Sequence, residues 1–371
     1  MTATDPPRTQ APSLFTRARR RLTWVDSFLW VIRVGAVLLI AWGLIGSIQR
    51  FTAGLGPTGS QWRDLLVAAI AFGAMYGLIA IGYSMVYGVL GFINFAHGEV
   101  FMSGAFIGYF AATALSNGGL WQSNPIIAML LTLLVSMATS TLMAVLVERV
   151  AYRRLRNSPR LIPLITSIGV SFFLQYSFLG LFGATVRTYP TLPPFMTGNI
   201  DILGVPVQRS QLLVIVVAAV AMSGLWQFVT RTKTGRAMRA VAEDKEIAAL
   251  MGINVDRTIV TTFAVGGAMA GIAGMLYGQL YGVSFFMGFL PGIKAFTAAV
   301  LGGIGVIPGA MAGGVLLGLF EGVGPLLILG GLGIASPSQL RDAVAFSALV
   351  LVLIFRPSGL FGEAVGAEDR A

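Results

Sequence analysis

The sequence predicts an all-α integral membrane protein, a polytopic bundle of about 9 to 10 transmembrane segments that includes broken or short helices. Three observations carry this expectation. Apolar residues make up 56% of the chain and charged ones 11%, where a soluble domain carries about 25% charged residues. The apolar residues fall in runs long enough to span a bilayer. The 47 glycines lie largely inside those runs, which suits close helix contact in lipid. Alternating strands of the kind that build a membrane β-barrel are absent from the pattern. A chain of 371 residues has room for many spans but not for a large soluble domain as well.

Apolar segments are expected at 28–48, 65–84, 101–115, 125–147, 161–182, 212–229 and 259–281, then a short one at 295–304, and two more at 308–328 and 343–355. The basic run at 17–21 ahead of the first segment resembles a secretory signal. That segment is long for a signal core and is followed by GSIQRFTAG, which offers no small-x-small cleavage site. It is therefore read as an uncleaved span with a basic inner tail. Cations set the orientation. Arg149, Arg153, Arg154, Arg156 and Arg160 mark one inner loop, and Arg231, Lys233, Arg236, Arg239, Lys245 and Arg257 mark another. The Pro- and Gly-rich stretch 183–211 is outer-face material. If 295–304 crosses, there are ten crossings, and Arg356 lies on the inner side with the N-terminus; if it is re-entrant instead, the C-terminus flips to the other side, against the basic Arg356. Asp26 and Arg33 in the first span are too far apart for a direct i, i+4 pair.

The short segment 295–304 and the stretch 88–103, GVLGFINFAHGEVFMS, are both interrupted by glycine, one in each half of the chain. This points to a duplicated architecture. Two readings stand: broken helices beside a substrate path, since unwound backbone at membrane depth is tolerated where it lines a cavity or is buried, or ordinary interhelical loops. Glycines recur four apart at Gly305, Gly309 and Gly313, and at Gly314, Gly318 and Gly322, with Gly267 and Gly271, and Gly274 and Gly278, in the preceding span. They mark tight packing or contact with another subunit.

The net charge of +10 fits inner loops of a membrane protein better than nucleic-acid binding. With no cysteine and a single histidine, His97, thiolate and His-cluster metal sites are excluded. There is no GxxxxGK[ST] phosphate loop, no GxSxG elbow and no HExxH helix. The chain is expected not to be an enzyme and to carry no cofactor of its own. Glu99 and Glu321 are the intramembrane carboxylates, each costing roughly 2.5–3.5 kcal/mol at mid-span on insertion scales. They leave an ion-coupled secondary transporter or channel as one function class, and a membrane scaffold as another.

The polar interruption 231–257, RTKTGRAMRAVAEDKEIAALMGINVDR, reads as a helix over 235–251. Ile247, Leu250 and Met251 share one side, and Glu243, Asp244, Lys245 and Glu246 take the other. Gly252 stops the helix. Such a helix either inserts its ridge into a groove of a soluble partner or lies on the membrane surface.

Within that interruption, Glu246-Ile-Ala-Ala-Leu-Met-Gly252 resembles the EAAxxxG loop of ABC importer permeases, with Glu246, Ala248 and Gly252 matching and Ile247 replacing the usual alanine. GRAMRAVAEDKEIAALMGINVDR, INFAHGEVFMSGAF, ERVAYRRLRNSPRLIPLITSIGVSFFLQ and KAFTAAVLGGIGVIPGAM all look like the permease subunits of branched-chain amino acid ABC transporters. The resemblance covers roughly 65–362. It implies a permease that pairs with a second permease, identical or not, with two cytoplasmic ATPase subunits that hold ATP and Mg, and with an extracytoplasmic binding protein. By this likeness 235–252 is the coupling helix. Gly235, Glu246, Ala248 and Gly252 carry it, and Glu243 and Asp244 belong to the family's AED variant. Leucine, isoleucine and valine are the expected substrates, with urea or short amides as the alternative. A prokaryotic plasma membrane with both termini cytoplasmic is the implied setting. Three regions follow: 1–60, a basic tail and an added helix; 61–362, the permease domain; and 363–371, a C-terminal tail. Asn94, His97 and Glu99 are placed at the translocation path or its gate from the broken-helix argument, since the family assigns INFAHGE no chemistry.

Overall fold

The computed structural model describes residues 24–362 apart from 157, 160, 194, 203–204 and 357. The basic run 17–21, Arg160, the side chain of Asp26 and the tail 363–371 lie outside the described residues. Within them the chain is a helical membrane bundle with one short β-hairpin. The first helices are α1 (Trp24–Thr52), α2 (Gly59–Leu90), α3 (His97–Asn117), the single turn α4 (Leu120–Ser123), α5 (Pro125–Val147) and α6 (Leu161–Phe182). The hairpin β1 (Asn199–Ile202) and β2 (Val205–Gln208) follows. Then come α7 (Arg209–Arg231), α8 (Lys233–Glu243), α9 (Lys245–Leu250), α10 (Val255–Tyr281), α11 (Phe289–Gly302), α12 (Ile307–Gly324) and α13 (Arg341–Phe355). Nine helical stretches among the described residues are long and apolar enough to cross a membrane.

Local chemistry sets the helix ends. Thr58 caps α2 in a reciprocal box: its backbone N–H donates to Gln61 Oε1 at 2.9 Å, and its hydroxyl accepts from Gln61 N. Proline opens α5 and α12, where its missing N–H costs nothing. Along α5 the buried positions Ala128, Thr132, Ser136, Ser140 and Ala144 recur every fourth residue, so the helix offers a smooth, small stripe. Ile126, Leu130, Leu134 and Leu142 on its other side are exposed, as lipid-facing residues are.

Burial ranks the helices. α2, α3 and α10 are enclosed along most of their length, whereas α5, α6 and α7 bury one stripe and α1 almost nothing. The α2–α12 seam shows how glycine makes this possible: a Cβ on Gly314 would stand 2.4 Å from the Gly77 backbone, so only bare backbone fits. The four-residue spacing of Gly314, Gly318 and Gly322 is thereby explained by packing inside the chain. Gly305 is not part of such a stripe, because it sits at φ +91° in the turn before α12.

The packing has a two-fold pattern. α2 runs along α12 as α10 runs along α5, α3 lies on α5 as α11 lies on α12, and α2 and α10 cross at the centre. The two halves run in opposite directions, the arrangement of an inverted repeat. Each half contains a break. Residues 91–96 and 282–288 are non-helical, yet Asn94, Ala96, Val283 and Ser284 within them are buried. The short helix of the second half is therefore 289–302, beginning six residues before the expected 295–304.

Hydrogen bonds define two faces. On one, Lys245 Nζ reaches Leu90 O at 3.5 Å, Arg156 pairs with Asp256, and Gly305 N donates to Ser84 Oγ at 2.8 Å. On the other, Trp121 Nε1 donates to Thr191 O at 3.0 Å, and Arg187 and Val283 exchange backbone bonds of 2.9 and 2.7 Å. The stretch 282–302, a break followed by a short apolar helix, runs from the second face to the first. Leu360 N then bonds Leu301 O at 2.9 Å, so the last described residues return to the face that holds the basic loops.

Candidate functional site

The INFAHGE residues converge where the break in the first half meets α6, α10 and α11. Ser167 of α6 ties the loop from the side: it donates to Ile93 O and accepts from Phe95 N, both at 3.3 Å. Asn94 Oδ1 accepts from Ala96 N at 3.1 Å and from the Tyr152 hydroxyl at 2.6 Å. Asn94 is thus the anchor that turns the chain into α3, an Asx-type turn buried under an aromatic lid.

His97 and Glu99 open α3, both almost fully buried. The imidazole stacks edge-on to Tyr83 with centroids 4.9 Å apart. It occupies a slot at Gly82, whose absent Cβ would stand 2.2 Å from Nε2. Nε2 has no hydrogen-bond partner. Glu99 Oε1 accepts from Ser171 Oγ at 3.3 Å, while Oε2 is unpaired and faces Gly288 in the second break. The three residues are therefore close together, packed at the junction of the two breaks, and they bind each half to the other.

A second polar centre is absent from the sequence reading. Lys294 of α11, buried, bonds Glu321 Oε1 of α12 at 2.7 Å and Asp342 Oδ1 at the head of α13 at 2.6 Å. Its ammonium stands 5.8 Å above the Tyr76 ring. Glu321 was singled out, but Lys294 and Asp342 each precede by one residue the apolar run read from the sequence, and so fell into loops. A lysine one residue from an apolar run is the signal that finds it, because buried charges need partners.

The basic face carries α8 and α9. Thr232 Oγ1 caps α8 by accepting from Gly235 N at 3.0 Å. Gly235 sits in the corner after α7, where a Cβ would meet Val229 O at 2.3 Å. α8 buries Met238 and Val241 against the bundle. The single helix expected over 235–251 is instead two. Asp244 leaves the helical region at φ −151°, ψ 119°, and its carboxylate accepts from Glu246 N at 2.8 Å and Ile247 N at 2.9 Å, starting α9 afresh. Glu243 and Glu246 are exposed and Ala248 is buried. Gly252, at φ +82°, closes α9 as expected: Ile253 N bonds Ala248 O and Gly252 N bonds Ala249 O, the paired bonds of a Schellman cap. This folding leaves Ile247 at 59%, Leu250 at 86% and Met251 at 78% exposure, an apolar ridge that none of the described residues covers.

Residues 65–354 match the sequence family described as the permease component of branched-chain amino acid transport systems. The chain is 47% identical to the high-affinity branched-chain amino acid transport system permease protein BraD of Pseudomonas aeruginosa, over 83% of this chain and 98% of that one. It is 42% identical to the corresponding protein LivH of Escherichia coli, over 79% of this chain and 93% of that one. Among solved structures, PsaBC from Streptococcus pneumoniae in complex with Fab matches loosely, with a TM-score of 0.43 at 13% identity, covering 84% of this chain and 97% of that chain. This chain, a multi-pass helical membrane protein, belongs to the family of branched-chain amino acid transport permeases.

Proposed function

We propose that this chain is the membrane-spanning subunit of an ATP-driven importer for leucine, isoleucine and valine, coupled to partner ATPases through α8 and α9. The observation that carries the reading is the exposed ridge Ile247, Leu250 and Met251, held at a fixed angle by the Asp244 and Gly252 caps on the face that gathers the basic loops. Three apolar side chains at helical spacing suit a groove on a soluble protein. The family membership and the lack of a nucleotide-binding motif in the chain both call for ATP hydrolysis on separate subunits. A second permease and an extracytoplasmic binding protein complete the assembly. By the positive-inside rule the basic face is cytoplasmic, with both termini on that side of a prokaryotic plasma membrane.

The test is uptake of labelled leucine, with urea in parallel, into proteoliposomes holding this chain, its partner permease and the ATPases, with and without binding protein and ATP. Leucine uptake that needs both supports the reading. Urea uptake alone changes the substrate, and ATP-independent uptake by this chain alone overturns the coupling.

Residues 1–60 form an added unit ahead of the permease domain at 61–362, with 363–371 a cytoplasmic tail. α1 is moored to the α12–α13 side: Ser47 Oγ donates to Leu327 O at 2.6 Å, Arg50 bonds Gly330 O, and Arg33 Nη2 donates to Ile354 O at 2.6 Å. Gly46 sits where a Cβ would come 2.2 Å from Gly331 O. Gly46→Leu is therefore expected to undock α1 while the remaining helices stay folded. A cysteine pair placed across α1 and 325–331 should cross-link in the unaltered chain and cease to do so in the variant.

A further inference from the structure

The second break leaves a cavity of about 310 Å³, at the lower end of the roughly 300–1,000 Å³ of small-ligand pockets. Its wall is formed by Tyr76 of α2, Tyr277 and Tyr281 of α10, Phe286 in the break, and Leu290 and Lys294 of α11. It lies under the Arg187–Val283 bridge, on the face opposite the basic loops. Lys294 is the one charged residue of that wall, and it is 5% exposed.

An ammonium has three N–H donors, and Lys294 gives two of them to Glu321 and Asp342. The third is left for the cavity. The triad of one cation and two carboxylates carries one net negative charge at full ionisation, which Arg341, beside Glu321 in the space behind it, offsets. A simple anion at this place would meet Lys294 but be repelled by the pair behind it. A simple cation entering the cavity would meet the ammonium first. A zwitterion satisfies both, with its carboxylate on Lys294 and its own ammonium against the tyrosine faces, which attract cations. Apart from the Ser284 hydroxyl and the tyrosine hydroxyls, the rest of the wall is aromatic and aliphatic, which suits an apolar side chain.

Resting on the import reading above, we propose that this cavity is a substrate site within the membrane, holding an aliphatic α-amino acid with its carboxylate on Lys294 and its side chain against Tyr277, Tyr281 and Leu290. Broken helices near the bilayer midplane are where transporters commonly place such sites. Glu321 also lines a second cavity of about 190 Å³ with Phe72, Pro325 and Arg341. The Lys294–Glu321 ion pair thus has one member in the lining of each space.

The experiment uses the complete complex in proteoliposomes and a leucine analogue that carries a photoreactive diazirine. After illumination during turnover, labelled peptides are mapped by mass spectrometry, with and without excess leucine. Leucine-protectable label within 276–294 is the expected result. Leu290→Trp, which fills the cavity and leaves all three residues of the ion triad in the chain, should cut that label and leucine uptake by about tenfold or more. Complex yield serves as the folding check, and if this variant does not assemble, labelling of the unaltered complex still decides. Protectable label away from 276–294 and Tyr76, such as on 92–105, overturns the site, as does an absence of protectable label while uptake is intact. If the unaltered complex shows no ATP-driven leucine uptake, the import reading itself falls, and the site with it.

Discussion

Replacing Leu250 and Met251 together by aspartate is expected to abolish ATP-driven leucine uptake, and to uncouple the permease from its ATPases rather than to unfold it. Both side chains are outside the bundle, so the fold does not depend on them, and surface changes of this kind usually move stability by about 0.5 kcal/mol or less. What they lose is burial in a partner's groove. Enclosing one Leu or Met contributes about 1.5–3 kcal/mol, so removing two forfeits at least roughly 3 kcal/mol, more than about 100-fold in affinity. Two carboxylates forced into an apolar groove add a further penalty. Co-purification of the ATPases with the variant, compared with thermal stability of the permease alone, separates the two effects. Retained ATPase binding and normal uptake would falsify the coupling surface.

The Asp244 cap gives this result a control. Asp244→Ala removes two bonds to backbone N–H groups and costs about 0.5–2 kcal/mol of local helix stability. It should weaken ATPase binding less than the ridge variant does, and Asp244→Ser should recover most of the loss. A residue that contacted the ATPase directly would not be rescued by serine, which keeps the cap but not the charge.

The helical membrane bundle was legible because lipid makes its demand over whole spans: about 20 apolar residues in a row have few other uses. The cap at Gly252 follows a local rule. What could not be read depends on contacts between distant segments. Nothing near Asp244 separates a helix interior from a helix start, since Glu, Lys and Ala continue on both sides, and the break is decided by where α8 packs and α9 projects. The burial of Asn94 depends on Tyr152 arriving from another helix. Boundaries drawn at the first uninterrupted apolar residue hid Lys294 and Asp342. Yet those two, with Glu321, form a centre at which α11, α12 and α13 are joined by charge.

Lys294→Met is expected to cause the largest loss of stability in the membrane domain. It leaves Glu321, 7% exposed, with Oε1 as well as Oε2 unpaired. Removing one partner of a buried ion pair costs about 3–5 kcal/mol, and most of it comes from Glu321, because Asp342 is 45% exposed and can be solvated. Glu321→Gln alone should cost less, since Lys294 keeps Asp342. In the double variant Lys294→Met with Glu321→Gln, the buried charge is gone and much of the loss should return, a coupling on the order of 2 kcal/mol. Melting of the four proteins in detergent measures the cycle, and strictly additive penalties would show that the pair is not coupled. Uptake by the double variant then decides between two roles. A pair that only clamps α11 to α12 returns both stability and uptake when both charges are removed. A pair whose lysine also receives the substrate carboxylate returns stability and leaves uptake low, because methionine fills the space of the lysine stem but offers no donor.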